Sequence, residues 1–184
     1  MTMLAVALVL LSAPGDQDRS DRGETADVFA IYLVAEPVDR RIPGYGKGDW
    51  SHLRLSVSPL IAGDDIISYD FSTHVMRLRR EALARIPRPP VDGTPFVVVA
   101  HGHRVYLGMF MTLASSHSLA VPAIVVDRYV MDPTQPRDTL VIERSYPTPT
   151  FGVGPDPRGD ERIKAALTAL QKLKRASHLC YPRT

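Results

Sequence analysis

The chain has 184 residues, of which 45% are hydrophobic and 23% are charged, and its formal net charge at pH 7 is +2. These totals are typical of an ordinary globular domain and exclude disorder of the whole chain. A net charge this close to zero gives no electrostatic reason to expect a nucleic acid as the partner. The only cysteine, Cys180, cannot form an internal disulfide or a zinc site built from cysteine pairs.

The first distinct segment is an apolar run over residues 4–11, followed by small residues and a helix breaker at 12–15. Its length is typical of a secretory signal peptide and too short to span a bilayer, although no lysine or arginine precedes it. We therefore expect a signal peptide over 1–15, a flexible linker over 16–27, a single domain over 28–176 and a flexible tail over 177–184. The expected location is the periplasm or the extracellular medium, with no transmembrane segment in the mature chain.

Strand patterns dominate the remainder of the chain. Continuous apolar runs or strict alternation predict strands at 28–35, 51–57, 73–78, 96–100, 105–111, 121–126 and 139–143. The glycine in His101-Gly102-His103 predicts a hairpin that joins the fourth and fifth of these strands.

Helical signals are fewer. A short helical turn is expected near 63–67, a short helix over 79–86 ends at Pro87, and an amphipathic helix over 160–175 has acidic residues at its start and basic residues at its end. Because strands outnumber helices and do not alternate with them regularly, we predict an α+β fold. Its sheet would be mixed and mostly antiparallel, with two or three helices packed on one face, including the C-terminal amphipathic helix.

The clearest candidate for chemistry is Asp70 followed by His74. A carboxylate beside an imidazole is the orienting half of a catalytic triad, or the group that orients a metal-bound histidine. With Ser115 or Ser116 it would form a serine or acid–base hydrolase, but the GxSxG and SxxK motifs are absent. The alternative is an ordinary turn, in which Asp70 accepts backbone hydrogen bonds and His74 packs along its strand.

The second candidate is the pair His101 and His103. Two imidazoles at this spacing on a strand share a face and could bind one metal ion. A zinc site needs a third ligand, such as His52, His74 or His117. The alternative is an exposed hairpin tip, from which the two side chains diverge.

Two longer stretches, PLIAGDDIISYDFSTHVMRL at 59–78 and GTPFVVVAHGHRVYLGMFMTLASS at 93–116, carry a family resemblance. Over residues 29–127 the chain resembles a family of small exported bacterial proteins and lipoproteins without assigned activity. It is more distantly similar to the α+β periplasmic head of a subunit of the Sec export machinery. The resemblance implies an exported α+β fold without catalytic residues. Within the matched stretches the most distinctive group is Asp65, Tyr69, Asp70 and His74.

No complete catalytic or cofactor-binding motif is present in the sequence. We therefore predict a non-enzymatic exported binding module of the bacterial cell envelope, with no cofactor and no nucleic-acid partner. Its partner would be a protein, a peptide or an envelope component. The alternatives are a metal-binding protein or metal-dependent hydrolase that uses His101 and His103, and a hydrolase that uses Asp70 and His74.

Overall fold

The computed structural model describes Ala26 and residues 28–36, 50–134 and 136–174. The predicted signal peptide, all but one residue of the predicted linker, and the predicted tail lie outside the described residues. The described elements, in chain order, are β1 (Phe29–Leu33), β2 (Ile61–Ala62), β3 (Ile66–Asp70), β4 (Val75–Leu78), α1 (Arg80–Arg85), β5 (Thr94–Ala100), β6 (His103–Met111), β7 (Ala123–Val125), β8 (Thr139–Glu143) and α2 (Glu161–Ala169). Short 3-10 turns lie at Gly63–Asp65, Arg128–Val130, Pro149–Phe151 and Pro157–Gly159.

The eight described strands form one sheet in the order β2-β1-β5-β6-β7-β8-β4-β3. Neighbouring strands run antiparallel, with the exception of the parallel pair β6 and β7. The two edge strands, β2 and β3, are joined by the 3-10 turn Gly63–Asp65. Because so short a connection cannot span an open sheet, the sheet curls until its edges approach each other, and the result is nearly a barrel.

The free edge of β3 is covered by the segment that leaves α2. The backbone N–H of Tyr69 donates to the carbonyl of Lys172 at 2.7 Å, and the N–H of Lys174 donates to the carbonyl of Tyr69 at 2.8 Å. This segment therefore adds a short parallel pairing, centred on Leu173, to the outer edge of β3. An edge that is paired in this way is protected from pairing with another chain.

The interior of the near-barrel is filled by large apolar side chains from every side. Phe96 lies at its centre, opposite Gly108 on β6, with the Phe110 ring centroid 4.8 Å from its own. Helix α2 adds three buried side chains to the same core: Ile163, Ala166 and Leu167. This core, which we call the interior cluster, therefore joins the helix to the sheet.

The prediction of an α+β fold with two or three helices on one face is wrong, because the structure is mostly a curled sheet with one substantial helix. Helix α1 has only six residues, and the predicted helical turn near 63–67 stops at Asp65, because β3 begins at Ile66. Helix α2 starts after the N-cap Asp160 as predicted, but it ends at Ala169 rather than at 175. Gln171 has a positive φ of 56°, and the chain then turns to pair with β3.

Of two further predictions from the sequence, one is wrong and one is confirmed by the structure. The predicted strand over 51–57 is wrong: only Leu55 makes a bridge, to Val34, while Leu53 packs on the outer face of the sheet and Val57 is fully exposed. The predicted hairpin is confirmed, since β5 and β6 pair around a two-residue loop. Both loop residues, His101 and Gly102, have positive φ angles of 48° and 73°, which is typical of a type I′ turn. None of the described helices has the length and apolar character needed to cross a membrane.

Candidate functional site

The residues that the sequence singled out do not form one site. Asp65 closes the junction between β2 and β3, where its carboxylate accepts from the N–H of Ala62 at 2.9 Å and from the Arg85 guanidinium at 2.6 Å. Its side chain is only 3% exposed, and Arg85 also donates to the carbonyl of Leu60. A buried carboxylate with these partners holds the curled sheet and helix α1 together.

Tyr69 and His74 are brought together by the turn between β3 and β4. The Tyr69 hydroxyl lies 3.0 Å from Nδ1 of His74. Burial raises the pKa of Tyr69 well above its ordinary value, so this hydroxyl stays protonated and can donate. Burial, and next the positive charge of Arg158, lowers the pKa of His74 below 6.5, so its imidazole is neutral at pH 7 and accepts at Nδ1.

His74 itself departs from the sequence prediction. It was expected to pack along the predicted strand over 73–78, but its φ is +55° and β4 begins only at Val75. This left-handed conformation turns the imidazole toward the Tyr69 hydroxyl and the ring of Phe71. The pair is a polar contact at the margin of the interior cluster.

An ion pair that sequence reasoning missed lies close to this contact. Arg158 donates from Nε and a terminal nitrogen to both carboxylate oxygens of Asp156, and from its other terminal nitrogen to the carbonyl of Ile142. The charges of both residues act on His74 and on Tyr69. The only sequence signal for this pair is the Asp156-Pro157-Arg158 pattern, in which the aspartate caps a 3-10 turn.

Asp70 stabilises an ordinary turn, which was the alternative to a role in chemistry. One of its carboxylate oxygens accepts from the Ser72 hydroxyl at 2.6 Å and from the backbone N–H groups of Ser72 and Thr73. The hydrogen bond from the Ser72 hydroxyl is the main cause that lowers the pKa of Asp70. Asp70 therefore stabilises the turn that carries His74, and its described hydrogen bonds do not reach the imidazole.

The serines of the hydrolase alternative lie on the other face of the sheet. The carbonyl of Ser115 accepts from the hydroxyl of Tyr146, which packs with Met109 and Met111 outside the near-barrel. Because Met109 and Met111 alternate with Phe110 of the interior cluster, the sheet separates this loop from Tyr69 and its partner. The hydroxyl of Ser115 accepts from the backbone N–H of His117.

His101 and His103 are exposed at the hairpin tip. Within the described parts of the chain, no three His, Cys, Asp or Glu side chains are grouped so that they could hold a metal ion. The metal hypothesis thus has two possible ligands and no third among these residues.

A different feature has the form of a ligand site. A cleft of about 490 Å³ lies where the chain after α1 passes over the ends of β7 and β8. That volume is in the usual range for small-molecule sites. Apolar side chains from three separate segments form its floor: Leu83, Ile86, Val126 and Leu140. We call this feature the α1–β8 cleft.

The rim of the α1–β8 cleft is rich in arginine. It carries Arg88, Arg128 and Arg137, against one acidic residue, Asp127. Asp127 already accepts from the Thr112 hydroxyl and from the N–H of Leu113. Tyr129, whose side chain is 46% exposed, also lines the cleft, and Val130 and Met131, which follow it in the chain, are exposed. An apolar floor with an excess of positive charge at its rim suits an amphipathic anion.

A second, larger groove of about 740 Å³ lies on the outer face of β3, β4 and β8 and includes Asp70 and Thr73. Its charged side chains are largely matched with one another or with neighbours. Arg77 pairs with Asp138, and Lys174 lies 3.9 Å from Asp70. Because its charges are largely matched, this groove is a weaker candidate for an anionic ligand than the α1–β8 cleft.

Arg128, Pro136 and Thr139 line both depressions, so the two depressions are adjacent. Comparison of the chain with protein-family models, with curated proteins and with solved structures finds no match. The functional argument therefore depends on the geometry of the α1–β8 cleft.

Proposed function

We propose that this chain is a non-enzymatic binding protein and that its ligand occupies the α1–β8 cleft. The observation that carries the proposal is the combination of an apolar floor with an arginine-rich rim in a recess of about 490 Å³. Burial of apolar ligand surface supplies affinity in such a recess, while a few polar groups at the rim fix the orientation of the ligand.

The positions of the chemistry-bearing residues support binding rather than catalysis. The carboxylate of Asp65 is occupied by Arg85 and Ala62, and the imidazole of His74 by Tyr69. A nucleophile needs a base within hydrogen-bond reach, and Ser115 is on the far side of the sheet from His74. These contacts stabilise the fold and leave the groups without a shared reacting position.

Binding can be tested with N-phenyl-1-naphthylamine, an uncharged dye whose fluorescence rises in apolar surroundings. The unaltered chain should bind it at one saturable site. Ile86→Trp fills the floor of the cleft with a larger side chain and should weaken binding about tenfold or more, which corresponds to ~1.4 kcal/mol. Val57→Trp, at a fully exposed position outside the cleft, is the matched control and should leave binding unchanged.

Thermal unfolding of both tryptophan variants establishes that they remain folded. Dye binding that does not saturate, or that is equally strong in the unaltered chain and in folded Ile86→Trp, would contradict a site in this cleft.

We also propose that the binding protein is exported, on the basis of the apolar segment over 4–11 and the small residues after it. Expression of the full chain in a bacterial host, followed by fractionation and mass measurement, tests this point. Export predicts a product outside the cytoplasm that lacks about fifteen N-terminal residues, within the length range of signal peptides. A full-length product that stays in the cytoplasm would contradict it.

A further inference from the structure

We propose that the ligand of the α1–β8 cleft is a small molecule with an apolar body and one anionic group, and that Arg88 binds this group. The inference rests on the proposed function of the cleft. It adds the chemical class of the ligand and the residue that selects it.

The three arginines at the rim differ in their partners. Arg128 is paired with Glu143, and the guanidinium of Arg137 lies 5.6 Å from the centroid of the Tyr129 ring. Arg88, by contrast, has no hydrogen bond or ion pair with any of the described residues. The donors of Arg137 also make no described hydrogen bond, but its guanidinium lies over the Tyr129 ring. Arg88 is thus the arginine at this rim whose whole guanidinium is available to a ligand.

The backbone around Arg88 is stiffened by its neighbours. Pro87 precedes it, and Pro89 and Pro90 follow it. A proline fixes its own φ and restricts the residue before it, so the position of Arg88 above the floor is largely set before a ligand arrives. Such preorganisation reduces the entropy lost on binding.

The balance of charge indicates one anionic group rather than several. Arg128 is neutralised by Glu143, and Asp127 lies on the same rim. Three arginines and these two carboxylates leave a net charge of +1, and the Arg88 guanidinium offers a planar pair of donors that matches a carboxylate or a sulfonate. The recess measures about 490 Å³, which is in the range of small-molecule sites. A compact aryl or short acyl body fits a space of that size.

Two dyes with the same aromatic body, one neutral and one anionic, separate the contribution of the anionic group to binding from that of the apolar body. 1-Anilinonaphthalene-8-sulfonate is N-phenyl-1-naphthylamine with an added sulfonate group. Dissociation constants of both dyes are measured for the unaltered chain, for Arg88→Ala and for Arg80→Ala. Arg80 is exposed on α1 and does not line the cleft, so its replacement makes the same change in net charge away from the site.

The unaltered chain and Arg80→Ala should bind the sulfonate about tenfold or more tightly than the neutral dye, as expected for a hydrogen bond to a charged group. Arg88→Ala should reduce the affinity for the sulfonate to that for the neutral dye and leave the neutral dye unaffected. Equal affinities of the unaltered chain for the two dyes, or an equal effect of Arg88→Ala on both, would overturn this inference while leaving the proposed binding function intact. Failure of both dyes to bind would overturn both.

A blocked acidic tripeptide, acetyl-Leu-Glu-Leu-amide, tests the alternative that the anion belongs to a protein partner. The small-molecule proposal predicts that this peptide binds more weakly than the sulfonate. Tighter binding of the peptide, lost in Arg88→Ala, would overturn it.

Discussion

Replacement of Asp65 by alanine is expected to lower the free energy of unfolding by about 3 kcal/mol. The carboxylate is the acceptor for the buried N–H of Ala62 at 2.9 Å and for the guanidinium of Arg85 at 2.6 Å. Leaving a buried N–H without an acceptor costs about 1–3 kcal/mol. Breaking a fully buried ion pair costs about 3–5 kcal/mol. Because the side chain of Arg85 is 32% exposed and keeps its bond to Leu60, the ion-pair loss contributes only part of that range.

The assay is equilibrium unfolding in urea, with Asp65→Asn and Asp64→Ala as companions. Asparagine keeps an acceptor for the Ala62 N–H but loses the charge, so its effect should be about half as large, ~1–2 kcal/mol. Asp64 is adjacent and only half-buried, and its carboxylate makes no hydrogen bond with any described residue. Its replacement should cost about 0.5 kcal/mol or less. If Asp65→Ala were no more destabilising than Asp64→Ala, the role of Asp65 in closing the sheet would be refuted.

Three further variants test the interior of the near-barrel. Gly108→Ala would place a Cβ against the ring of Phe96, so it should lower the free energy of unfolding in urea by about 2–3 kcal/mol. Gly159→Ala, which places its Cβ in open space, should cost little. Because the pKa of His74 is lowered in the folded state, the imidazole binds fewer protons there than in the unfolded chain, and stability should fall as pH drops below about 6.5. His74→Asn, which tolerates the positive φ, should remove that part of the pH dependence. An unchanged pH profile of this variant would contradict a lowered pKa of His74. Tyr69→Phe should lower the free energy of unfolding by about 1 kcal/mol. It should also raise the pKa of the His74 imidazole in an NMR titration, because the neutral imidazole loses its hydrogen-bond donor. An unshifted or lower pKa would argue against the hydrogen bond.

The parts of the fold that could be predicted from the sequence depend on local signals. The strand at 139–143 has the predicted bounds, because its run of three apolar residues is flanked by polar ones. The hairpin turn was found from the glycine between two apolar runs, and the start of α2 from its acidic residues and the helical spacing of its apolar residues. In each case the residues that determine the structure are close together in the chain.

The features that escaped prediction depend on contacts between distant residues. The sheet curls at a junction that Asp65 and Arg85 hold together across 20 positions of the sequence. Helix α2 stops early because the chain after Gln171 pairs with β3, about 100 positions before it. A periodic pattern of apolar residues continues beyond that point and gives no sign of the turn.

The candidate functional residues were likewise predicted only in part. The contact between Tyr69 and His74 spans five residues, and a turn between two strands is enough to place both residues in the same candidate group. The α1–β8 cleft is assembled from α1, the proline-rich linker and the ends of β7 and β8. No spacing within one segment reveals such a site, and Arg88 in a proline-rich linker looks like an ordinary solvated residue.

Ligand binding at the α1–β8 cleft is tested most directly by titrating the isotope-labelled chain with 1-anilinonaphthalene-8-sulfonate and following the backbone amide signals by NMR. The largest shifts are expected in the residues around the recess, at 83–89, 125–129 and 137–140. Shifts centred instead on 69–74 and 156–158 would place the ligand at the turn between β3 and β4 and contradict binding in the cleft.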